Sequence, residues 1–123
     1  MAFDYQISPS ENHIRVVGTG KIRTDDCIGI MGRILADPRR CNDATVLVDL
    51  GNAVYTCEHY KEVIGIAHAL EAVNHLVKNR VALVAKRSTL FPAEIFSLYL
   101  RMHTNIRVLS ATVHASESCA LIA

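Results

Sequence analysis

The chain has 123 residues, with 13 Lys or Arg against 12 Asp or Glu, a net charge of +1. Half of the residues are hydrophobic and 20% are charged, the balance of one folded domain over 1–123 rather than a disordered chain. Near-neutrality argues against nucleic-acid binding, which needs a basic excess to neutralise phosphates, and no stretch approaches the ~20 apolar residues of a membrane span.

The first residues, Met1 to Ile7, lack the apolar run of a signal peptide. Cys27, Cys41, Cys57 and Cys119 form no CxxC pair. Free thiols and a cytoplasmic location are therefore expected. Phe3, Tyr5 and Ile7 alternate with Asp4 and Gln6, the period of a strand with one buried face. The turn cluster Pro9-Ser10-Glu11-Asn12 joins it to a second strand, Ile14 to Val17, which Gly18 and Gly20 are expected to end. Thr24 with Asp25 and Asp26 reads as a helix N-cap and acidic first turn; Ile28, Met31 and Leu35 follow at helical spacing, and Asp37-Pro38 closes the helix.

Val46-Leu47-Val48, ended by Asp49, suits a parallel strand covered on both faces. A loop over Gly51 to Tyr55 then leads to Thr56 as N-cap of a helix from Cys57 to His75, with Val63, Ala67, Leu70 and Val73 as its core stripe. Val81 to Ala85 repeats the buried-strand signal. The loop Lys86-Arg87-Ser88-Thr89 follows, then a helix with Pro92 in its first turn that reaches Met102. Ile106 to Leu109 is the last strand, and a short helix is expected over Ala115 to Leu121. The order ββαβαβαβα predicts an α/β domain: an N-terminal hairpin, then a mostly parallel sheet flanked by helices.

Two segments resemble the SpoIIAA-like family of STAS-like fold, which has bacterial members. One is Leu35-Ala36-Asp37-Pro38-Arg39 followed by Val46-Leu47-Val48-Asp49-Leu50. The other is Arg80-Val81-Ala82-Leu83-Val84-Ala85 with its loop and apolar helix, then Ile106-Arg107-Val108-Leu109. The resemblance covers the element order from end to end and implies the STAS-like fold. Anti-sigma-factor antagonists of that fold carry a phosphorylated serine in an Asp-Ser pair after the third strand. Here Cys57 and Glu58 stand at those places, so the phosphoswitch is not implied. Thr56, two residues earlier, is explained by capping.

In open α/β sheets ligands bind beyond the carboxyl ends of the strands. That edge should gather Lys21, Asp49, Tyr55, Thr56, Lys86, Arg87, Ser88 and Thr89, where cations and hydroxyls before a helix suit a phosphate or carboxylate. The third helix carries Ile95, Leu98, Tyr99 and Met102 on one face and Phe91, Phe96 and Leu100 on a second. A helix apolar on two sides needs more cover than one sheet contact gives. An apolar ligand, a homodimer partner or a membrane surface would each supply it.

The expectation is a non-enzymatic module that binds an apolar or amphipathic, lipid-like molecule through Tyr55, Thr56, Lys86, Arg87, Phe91, Ile95, Phe96 and Tyr99. The rivals are a regulatory homodimer and an enzyme built on Asp49, Tyr55 and Cys57. No cofactor is expected, because GxSxG, P-loop and HExxH motifs do not occur. Nor is a metal: His68 and His75 lie two helical turns apart, about 10 Å.

Overall fold

Parallel strands laid down in chain order leave their connecting helices little choice of side. The computed structural model describes residues 2–112 and shows a mixed α/β sheet whose five described strands run in the order β1-β2-β3-β4-β5. They are β1 (Phe3–Ser8), β2 (His13–Ile22), β3 (Ala44–Tyr55), β4 (Val77–Ala85) and β5 (Arg107–Thr112). β1 is antiparallel to β2, and the other neighbours are parallel. Crossovers between parallel strands share one hand, so without a reversal of strand order every crossover helix lands on one face. The helices α1 (Thr24–Ala36), α2 (Tyr60–Ala72) and α3 (Leu90–His103) do pack side by side, α1 on α2 and α2 on α3.

Among the described elements the helices form one layer, and the second face of the sheet carries Arg15, Asp49 and Leu109. On that second face Val84, paired with Asp49, is buried as well. The expected helix over 115–121 lies outside the described residues.

The elements expected from sequence are present with shifted ends. β2 does not stop at Gly18 but continues to Ile22. Gly20 has φ +68, and at Gly18 a Cβ would stand 2.8 Å from Leu50 Cδ2 and 2.9 Å from Phe3 Cε1. These glycines keep the strand going where a side chain would strain or collide. Residues 51–55 belong to β3 and are not a loop, because they pair with β2 as far as Ile22 opposite Tyr55. α2 starts at Tyr60, not Cys57: His59 is its N-cap, and His59 Nδ1 accepts from the Lys61 amide at 3.1 Å. The helix ends at Ala72, and His75 belongs to a separate 3-10 turn, Asn74–Leu76. Likewise Arg23, not Thr24, is the N-cap of α1, and its amide donates to Asp26 at 2.9 Å.

A bulge re-phases β3. Val17 pairs with Asp49, but Thr19 pairs with Asn52, so β3 advances one residue more than β2. Before the bulge Val46, Val48 and Leu50 face the helices; after it Ala53 and Tyr55 do. An unbroken alternation would have turned Tyr55 the other way.

Asp37 ties the end of α1 to β1. Tyr5 donates to its carboxylate at 2.7 Å, and Arg39 donates to both oxygens, at 2.8 and 3.1 Å. Arg33 lies 5.2 Å over the Tyr5 ring and donates to the Phe3 carbonyl. The bonds from Arg39 and then Tyr5 hold the Asp37 carboxyl well below the usual carboxylate range. A depressed native pKa adds stability that is complete above the unfolded pKa, about 4, and is lost as acid titrates toward the native value. Denaturant unfolding of the wild type should therefore weaken more steeply below about pH 4 than that of Asp37→Asn, which starts less stable at neutral pH; parallel slopes would contradict this role.

Candidate functional site

Val46 and Val48 lie on the central strand beneath the helix layer, where full burial is the rule for a packed sheet. Both are only half-buried. The reason is a cavity of about 180 Å³ between sheet and helices, open on one side. Val46 and Val48 form its floor with Leu83, and Met31, Ile66 and Phe96 close it from α1, α2 and α3. Its lining side chains are hydrocarbon except for Cys27, the thioether of Met31, Tyr55 and Thr89.

Two of the helix positions that line it, Cys27 on α1 and Ala93 on α3, carry short side chains. Larger side chains there would fill it. A second hollow, about 470 Å³, lies along the β1–β2 hairpin beside Gln6, Glu11, His13, Arg15 and Arg39. Four of these five are solvent-exposed, so it offers no buried apolar surface to a ligand.

Polar groups gather at the carboxyl edge of β3. Thr24 Oγ1 and Tyr55 Oη lie 2.9 Å apart, and Thr24 donates to Glu62 Oε1 at 2.9 Å. The other Glu62 oxygen accepts from the amides of Glu58 (2.7 Å) and His59 (3.2 Å). These bonds lower the Glu62 pKa, the Glu58 amide most. The positive end of α2 is thus already met by a carboxylate of its own. Burial pushes the Tyr55 hydroxyl up to about 12. Burial, with Asp26 adding to it, likewise pushes the Cys27 thiol up to about 12.

Of the eight residues expected to bind a ligand, Tyr55 and Phe96 line the cavity. Thr56, Arg87 and Phe91 are exposed, and Lys86 and Ile95 are half-buried outside the lining. Tyr99 is held on the α2–α3 seam: it donates to Glu71 at 3.2 Å, meets His68 Nδ1 at 3.2 Å and stacks on His103. Sequence reasoning missed Val46, Val48, Met31 and Cys27. An apolar residue that walls a cavity carries the same pattern as one that fills a core.

The carboxyl-edge cluster does not assemble as expected. Asp49 points to the opposite face, where it meets Arg15 at 3.6 Å and accepts from the Gly51 amide. The bulge therefore separates it from Tyr55 and Cys57, the other members of the rival enzyme reading. The described strands also show no reversal of order, so no crevice of the doubly wound kind opens there.

On α3 the face assignments change as well. Leu100 and Ala93 are buried, while Phe91, Leu98 and Met102 share the outer side and are 69%, 57% and 71% exposed. Among the described residues no three His, Cys, Asp or Glu side chains are grouped to hold a metal, and no helix is long and apolar enough to cross a membrane. No protein-family model matches the chain, and no curated protein matches it.

The Cys27 thiol should stay protonated and resist alkylation at pH 8 in the native state, reacting at the rate of unfolding. Mass-resolved labelling with iodoacetamide checks this; native-state labelling as fast as that of a free thiol would contradict it.

Proposed function

We propose that this chain is a STAS-like, non-enzymatic binding module that takes an apolar or amphipathic small molecule into the cavity between its sheet and helices. The cavity carries the reading. Its wall is apolar and about 180 Å³ of space lies against it, so a molecule seated there takes apolar surface out of water. Such a molecule binds the folded state only. The STAS-like part rests on the sequence resemblance and on a hairpin leading into parallel strands. With Cys57 and Glu58 in place of an Asp-Ser pair, it is a module without the phosphoswitch, and a cytoplasmic location belongs to the same reading.

Toluene or octanoate at millimolar concentration should raise the melting temperature. Val48→Phe, which fills part of the floor, should stabilise the free protein by about 1 kcal/mol and abolish that rise. Melting unmoved by either compound, together with a native mass spectrum showing the bare chain alone, would refute the proposal.

The outer side of α3 favours a second reading, a homodimer. Phe91, Leu98 and Met102 leave three large apolar side chains in water on one helix face. Light scattering should then give twice the chain mass, and Leu98→Asp should return it to a single chain. A single-chain mass at high concentration overturns the dimer; cosedimentation of that monomer with vesicles would give the face to peripheral membrane contact instead.

A further inference from the structure

The cavity wall holds one polar atom that its own chain leaves unpartnered. Thr89 is 4% exposed and lines the cavity, and its Oγ1 has no hydrogen-bond partner. It stands at the N-cap of α3, the position where a threonine hydroxyl ordinarily accepts from the first turn. That use requires extended backbone. Thr89 has φ −97 and ψ −3, because the 3-10 turn Arg87–Thr89 runs directly into α3, and it makes no side-chain cap bond. The hydroxyl is therefore not explained by capping. An unpaired buried hydroxyl costs about 1–3 kcal/mol, and valine has the same shape without that cost.

Two further observations narrow what could complete it. The lining contains no Lys, Arg, His, Asp or Glu, and neither Lys86 nor Arg87 reaches it. A charged group drawn inside would be buried without a counter-ion. The volume, about 180 Å³, is of the size that admits a benzene-like ring.

Resting on the binding reading above, we infer that the ligand's enclosed part is a neutral, mostly apolar group of about six to ten heavy atoms, bearing one hydroxyl or carbonyl that pairs with Thr89. Rotation about the Thr89 Cα–Cβ bond carries the hydroxyl from one staggered position to another without backbone movement.

The test uses three probes of similar size, ethylbenzene, benzyl alcohol and phenylacetate, titrated by calorimetry into the wild type, Thr89→Val and Thr89→Ser. Thr89→Val should weaken benzyl alcohol about tenfold relative to ethylbenzene. Thr89→Ser should keep the wild-type ratio, and phenylacetate should bind the wild type more weakly than benzyl alcohol. Circular dichroism of both variants checks the fold. A ratio unchanged in Thr89→Val overturns the role of Thr89 while leaving cavity binding intact. Phenylacetate binding as tightly as benzyl alcohol overturns the neutral class. If ethylbenzene too fails to bind, the cavity reading falls, and this inference with it.

Discussion

The constraint on which this structure depends is directional. β2 to β5 are added edge to edge in chain order, all parallel, so each crossover of common hand returns over the same face. One helix layer then has to cover the inner surface of the whole sheet. Three helices of 13 or 14 residues do so with a gap above the central strand. The cavity, its floor of valines and the position of α3 at its margin all follow from this single-sided arrangement.

The electrostatics reinforce the division. Charged and strongly polar pairs sit outside the helix–sheet interface: Asp37 with Arg39 and Tyr5 at the end of α1, Tyr99 with Glu71 on the α2–α3 seam, and Asp49 with Arg15 on the far face. Glu62 answers the positive end of α2 locally. What remains inside is hydrocarbon with a thioether, a thiol and two hydroxyls. The Tyr55 hydroxyl has a partner in Thr24, and the Thr89 hydroxyl has none. The interior is therefore suited to recognising shape and one polar point rather than charge.

Much of the architecture was legible in the residues. Alternation in Phe3 to Ile7, the apolar runs at Val46 and Val81 and the helical spacing of Ile28, Met31 and Leu35 all mark elements that are present. Their ends were less legible, because hydrogen-bond pairing carries β2 and β3 past the glycines and Asp49 that look like terminators. Tyr55 and Phe96 were reached from sequence. Thr89 was noticed only as a loop hydroxyl, since its burial depends on a 3-10 turn that local propensity does not signal. A cavity is a deficit of volume between elements, and no single element records it.

The bulge between Asp49 and Asn52 also sets a rule of spacing. Its extra residue makes the count of residues there odd with respect to the pleat, and the aromatic ring at the strand's end is aimed by that count. Pairing all of these residues without the bulge would leave every hydrophobic letter in place and yet swing Tyr55 through half a turn, out from under α1 and away from Thr24, whereas removing the extra residue would restore a plain alternation with Tyr55 still facing the helices. The pairing, and not the order of apolar and polar letters alone, therefore aims this ring.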